Sequence, residues 1–141
     1  MSVRVILPIL FILSKYQMEH KALTRRVIGS AMLVHGTLRA GYLESVYRNS
    51  LAHELRQAAL RVECEKRLVV RYRDLVVGEF AADMLVDSCV IVEVKAVRAL
   101  TPAHEAQLVN YLTATGLDVG LLLNFGAERL QFKRKTRSYR P

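Results

Sequence analysis

Two carboxylates and one ammonium, those of Asp83, Glu93 and Lys95, are the groups best placed to do chemistry. They lie in the segment Ala82-Asp83-Met84-Leu85-Val86-Asp87-Ser88-Cys89-Val90-Ile91-Val92-Glu93-Val94-Lys95-Ala96, which reads as two strands joined by a tight turn at Asp87-Ser88. Side chains alternate along a strand, so Glu93 and Lys95 share one face, while Val90, Val92, Val94 and Ala96 take the other. A strand this apolar is expected to be buried, and buried charges cost roughly several kcal/mol each unless something pairs with them. Asp83 falls across the turn, on the partner strand. Carboxylates converging beside a lysine suit a divalent cation. The plain alternative is an ion-pair network that only holds the fold.

The remaining elements must bring these groups together. Over residues 20–38, Leu23, Val27, Ala31, Val34 and Leu38 recur at helical spacing, and Ile28 and Met32 widen the face. His35, near the end of that helix, reads as a hydrogen-bonded packing residue. Gly41 marks a turn. A second helix is expected over about 42–59, with Leu43, Tyr47, Leu51 and Leu55 as its apolar stripe. Glu44 stands in its first turn, where a carboxylate complements the helix dipole, and it shares a face with Tyr47. Strands follow at 60–72, at 75–86 with a bend near Gly78, and at 89–97. Thr101 and Pro102 open a helix that runs to Thr115 and closes at Gly116. On it Gln107 and Tyr111 share a face, and His104 belongs to the surface. Residues 117–125 form another buried strand, and 129–135 a basic edge strand whose charge discourages edge-to-edge pairing. This order of elements predicts antiparallel hairpins, then a parallel neighbour reached through a helical crossover.

Composition narrows the class. The 141 residues suffice for one domain with a sizeable core. A formal net charge of +8 and a pI of about 9.9 favour an anionic partner, nucleic acid before a membrane surface. A merely basic surface is the bland alternative. Arg129, Lys133, Arg134, Lys135, Arg137 and Arg140 crowd the C-terminus against Glu128. Cys64 and Cys89 lack CxxC spacing and signal neither zinc nor a disulfide framework. They read as small buried residues of a reducing, cytoplasmic setting. The apolar run over 5–13, preceded by Arg4 and interrupted by Pro8, is far short of the ~18 residues of a spanning helix, so no stable membrane insertion is expected. No signal-peptide cleavage site follows it. Translation beginning at Met18 would make residues 1–17 an upstream extension, leaving the domain at 18–136 and a basic tail at 137–141. A homodimer suits a domain of this size, with no interface marked in the sequence.

Gly41-Tyr42-Leu43-Glu44-Ser45-Val46-Tyr47 resembles the signature of the GxxExxY protein family. Four more blocks resemble that family in its order: Ala-Asp-Met-Leu-Val, Ile-Val-Glu-Val-Lys-Ala, the helix from His104 to Leu112, and Gly120-Leu121-Leu122-Leu123-Asn124-Phe125-Gly126. Together they cover about residues 19–135. The family is grouped with the PD-(D/E)XK nuclease-like superfamily. The resemblance implies an α/β (α+β) fold with a restriction-endonuclease-like αβββαβ core, a mixed sheet flanked by helices. It implies that Asp83 is the central aspartate, with Ala82 where the superfamily name has proline, and that Glu93 and Lys95 are the (D/E)xK pair. It further implies that Glu44 is a helix carboxylate helping to hold metal, and that Gln107 and Tyr111 serve near the site. Arg39-Ala40 stands where relatives often carry Gly-Pro, a departure at the turn and not in the chemistry.

Mg²⁺ or Mn²⁺ is the cofactor these residue types suit. Asp83 and Glu93 are hard oxygen ligands and the Val94 carbonyl a third, while Glu44 would bind directly, through water, or support a second metal. The expected function is metal-dependent hydrolysis of phosphodiester bonds in DNA or RNA. Lys95 would act on water or phosphate, and Arg129, Lys133, Arg134, Lys135 and Arg137 would grip the backbone without reading sequence. A non-catalytic module that binds nucleic acid or a protein partner on the same fold is the competing expectation.

Overall fold

The computed structural model describes residues 3–137. In chain order the elements are α1 (Val3–Leu38), α2 (Glu44–Gln57), β1 (Val62–Tyr72), β2 (Leu75–Val86), β3 (Val90–Lys95), α3 (Pro102–Thr115), β4 (Val119–Asn124) and β5 (Gln131–Thr136). Most bounds lie within a few residues of those expected from periodicity. The exception is α1, expected from His20 but continuous from Val3 over 36 residues, with Pro8 inside it. Pro8 stands in the second turn, so its missing N–H forfeits only one early hydrogen bond. No glycine follows until Gly29, and nothing else in that stretch stops the helix. The packed half of α1 is its second: Val27, Ala31 and Val34 are buried, whereas Ile9 through Leu13 are exposed. No helix among the described residues is long and apolar enough to cross a membrane. Residues 138–141 of the expected basic tail lie outside the described residues.

The strands form a single mixed sheet in the order β1-β2-β3-β4-β5. β1–β2, β2–β3 and β4–β5 are antiparallel, and β3–β4, joined through α3, are parallel. The β2–β3 turn is made by Asp87 and Ser88 at φ 49° and 58°, with the Cys89 N–H donating to the Val86 carbonyl at 3.1 Å. Two successive positive φ angles match the right-handed twist of a hairpin. The Asp87 carboxylate secures the turn by accepting the Arg61 N–H at 2.8 Å. The bend near Gly78 is a bulge: Val70 faces Gly78 but Arg71 faces Val76, so β2 carries an extra residue.

Helices cover both faces. On one, Val90, Val92 and Val94 meet Val27, Ala31 and Val34 of α1, Tyr47, Leu51 and Leu55 of α2, and Leu121 and Leu123 of β4. On the other, Ile91 and Leu122 pack under Leu108 and Leu112 of α3. Gly120 lets α3 approach, since a Cβ there would lie 2.7 Å from a Leu108 methyl. The expected capping of α3 is present: Thr101 Oγ1 accepts the His104 N–H, and the Thr101 N–H donates to His104 Nδ1. His35 bonds the Ala127 carbonyl at 2.9 Å through Nε2, the packing role its position suggests. Cys64 and Cys89 are free thiols, half-buried rather than fully buried as expected.

Candidate active site

Asp83 and Glu93 meet at a fork. Regular β2–β3 pairing covers Val86↔Val90, Leu85↔Ile91 and Met84↔Val92 and then stops. The next residues on the two strands are the two acids. Their side chains replace the missing ladder: Glu93 Oε1 accepts the Asp83 N–H at 3.2 Å, and Asp83 Oδ2 accepts the Val94 N–H at 2.7 Å. Each carboxylate is therefore held through one oxygen and projects from inside a strand, Asp83 from β2 and Glu93 from β3, a stiffer mounting than a loop provides.

The electrostatics of the pair are unbalanced. Glu93 is only 6% exposed. Burial first, and the neighbouring Asp83 charge second, push its carboxyl up to about 8, and the Lys95 ammonium offsets them only in part. Burying a carboxyl and crowding it with a like charge both favour the protonated form. Lys95, half-buried at the end of β3, thus acts on the face expected for it. Tyr111 belongs to the same field: burial, then the charges of Glu93 and Asp83, raise its phenol. Its ring stacks on Phe80 at 3.7 Å between centroids and 8° between planes, which fixes α3 against β2.

Glu44 is exposed in the first turn of α2, and Gln107 is exposed on α3. Among the described residues, no three His, Cys, Asp or Glu side chains gather closely enough to hold a metal ion. The donor chemistry of Asp83 and Glu93 nevertheless fits Mg²⁺, which takes one or two carboxylates and fills its shell with waters and phosphate oxygens. A cation between the two acids would offset the burial and the like charge that raise the Glu93 carboxyl.

The basic residues of the C-terminal strand divide between two faces, because alternation puts neighbours on opposite sides. Lys135 reaches toward α3 and pairs with Glu105 at 2.6 Å. Arg134 faces α1 and lines a groove of about 540 Å³ with Gln17, His20, Lys21 and Arg137. Arg137 pairs with Asp118 at 3.0 Å. Arg129 and Lys133 are exposed. The expected single basic strip is thus two strips, with Lys135 and Arg137 partly committed to carboxylates.

Three residues outside the expected site shape it. Arg48, one helical turn beyond Glu44, lies 4.0 Å from Asp83 Oδ1 and 3.3 Å from Glu65 Oε1. A Glu–Arg spacing of four on a helix ordinarily reads as a solvated pair, so only the fold reveals this contact. Asn124, fully buried, accepts the N–H groups of Val97 and Gly126 at 3.0 Å and donates to Val97 O and Gln131 Oε1 at 2.9 Å. It fixes the chain as it leaves Lys95. Gly126 is required there, since a Cβ would overlap the Val97 backbone. Tyr47 is both core and clamp: its ring stacks on Phe125, its hydroxyl donates to Arg39 O at 2.5 Å, and it accepts the Tyr42 N–H at 3.1 Å. It thereby holds the turn at Gly41, whose φ of 124° suits glycine.

A five-stranded mixed sheet between helices, with an acid pair where β2 and β3 part, defines a nuclease-like architecture. The sequence profile of the PD-(D/E)XK nuclease superfamily matches residues 21–135, and the chain belongs to that superfamily. A crystal structure of SSO0001 is similar in fold, with a TM-score of 0.53 and 17% identity over 68% of this chain and 50% of that one. The chain thus spans about half the length of that neighbour. No curated protein matches the sequence.

Proposed function

We propose that the domain is a Mg²⁺- or Mn²⁺-dependent nuclease that hydrolyses phosphodiester bonds of DNA or RNA, of the GxxExxY kind within its superfamily. The observation that carries this reading is the Asp83–Glu93 pair, mounted inside neighbouring strands, with Glu93 buried beside a like charge that Lys95 offsets only in part. Asp83, Glu93 and the Val94 carbonyl hold the cation. Glu44, on the exposed start of α2, binds through water or supports a second ion. When bound there, the cation would supply polarisation of the phosphate and a more acidic water. Lys95 would orient the attacking water or neutralise charge developing on phosphate oxygens. Tyr111 and Gln107 position the backbone, and the exposed cations Arg129, Lys133 and Arg134 hold flanking phosphates.

The test is cleavage of end-labelled single- and double-stranded DNA and RNA with Mn²⁺. Asp83→Asn, Glu93→Gln and Lys95→Met are each expected to abolish it with an unchanged circular dichroism spectrum. Activity persisting in all three rules the site out. A binding module without turnover is favoured by one feature, the Arg48 guanidinium already placed against Asp83. Salt-sensitive nucleic-acid binding with no cleavage and no metal-dependent thermal shift would establish that reading.

A further inference from the structure

The surroundings of Arg48 extend the metal-site reading and rest on it. Asp83 Oδ2 is occupied by the Val94 N–H, so Oδ1 is the oxygen left to meet a cation. Arg48 Nη1 lies 4.0 Å from that same Oδ1. The arginine side chain is 22% exposed, well covered for a guanidinium. Its Nε–H is buried and has no hydrogen-bond partner among the described residues, so the group is held only at its tips. The second tip, Nη2, is 3.3 Å from Glu65 Oε1.

Glu65 is itself unusual. It stands opposite Asp83 in the β1–β2 ribbon, between the pairs Cys64↔Met84 and Lys66↔Ala82, yet it forms no register pair of its own. Its φ of 51° lies in the left-handed region that a glutamate seldom adopts. Such a conformation persists only where the surroundings over-determine it, and it clusters at functional sites. Here the distortion coincides with the position where the Glu65 carboxylate reaches Arg48.

We propose that Arg48 is the resident counter-ion of Asp83, which holds the metal-facing oxygen of the metal-free site and yields it to the divalent cation, with Glu65 as the berth that keeps the guanidinium in place. The arginine is then a positioning residue whose charge competes with metal. Its removal strengthens metal binding, the reverse of what loss of a ligand or loss of structure does.

The experiment titrates Mn²⁺ calorimetrically into the full chain, as wild type, Arg48→Met and Arg48→Lys. Melting temperatures of wild type, Arg48→Met, Asp83→Asn and the double variant are measured in chelator. Arg48→Met is expected to bind Mn²⁺ about tenfold more tightly, because a like charge about 4 Å from the ligand oxygen is gone. Arg48→Lys, which keeps the charge, is expected to stay near wild type. In chelator the two substitutions are expected to be non-additive by a few degrees, since either one alone breaks the same pair. Additive melting shifts, or Mn²⁺ affinity unchanged or weakened in Arg48→Met, overturn the proposal while leaving the metal site standing. Absence of Mn²⁺ binding in every form, wild type included, overturns both.

Discussion

Along β3, Val90, Val92 and Val94 face α1 and α2, while Ile91, Glu93 and Lys95 face α3. The two rows occupy one strand and solve opposite problems. The valine row is fully covered and apolar, and it gains from every methyl group removed from water. The other row begins apolar at Ile91 and turns ionic as β2 diverges from β3. There the backbone gives up its ladder to two carboxylates, and Glu93 is kept buried beside a like charge. Packing on one face can hold the strand rigid while the other face carries a group that destabilises the metal-free fold. This division is common where binding energy is to come from a ligand added later.

Substitutions on the two faces should therefore separate stability from chemistry. The largest effect belongs to the acids: Asp83→Asn or Glu93→Gln is expected to lower Mn²⁺-dependent cleavage by at least about 10²–10³-fold, read by gel assay with labelled nucleic acid. Cleavage reduced equally by Val92→Ala would erase the distinction. The second effect is on pH. Glu93 titrates near 8 in the fold and near 4.5 when the chain unfolds. The native state thus binds the extra proton between those values. Its contribution is full below about pH 4.5 and lost as pH rises to about 8, an effect of about a few kcal/mol. Chelator-treated wild type should lose stability over that window, and Glu93→Gln should flatten the curve. A parallel pH profile in the variant would show that Glu93 is not the group responsible.

Val92→Ala comes third. It is expected to lose about 2 kcal/mol in urea denaturation through the cavity it leaves, with Mn²⁺ affinity unchanged. The smallest effect concerns β5. Arg134→Ala should weaken nucleic-acid binding about threefold and lower the salt slope by about one, while Lys135→Ala should do less, because Glu105 already engages that charge. Equal losses would mean that the two faces of β5 serve one strand of nucleic acid together.

Much of this was legible in the sequence where the cause is local. Alternation in β3, the Asp87-Ser88 turn, and the Thr101-Pro102 start of α3 each follow from neighbours in the chain, and each is present. The approach of Asp83 to Glu93 was legible because one hairpin turn sets it. Arg48 was not, because its contact joins α2 to β1 and β2 across the tertiary fold. Asn124 reads as a turn residue, and only its burial shows that it ties β3, β4 and β5 together. The division of the basic strand follows from alternation, but which face meets α3 depends on packing. The helical state of residues 3–17 escaped because a proline in the second turn resembles a break when read without its position.

Whether Asp83 and Glu93 form one metal site is decided by calorimetric titration of Mn²⁺ into wild type, Asp83→Asn and Glu93→Gln at constant pH. Saturable binding is expected in wild type and its loss in both variants, with circular dichroism unchanged. Saturable binding retained in both variants would contradict a shared site.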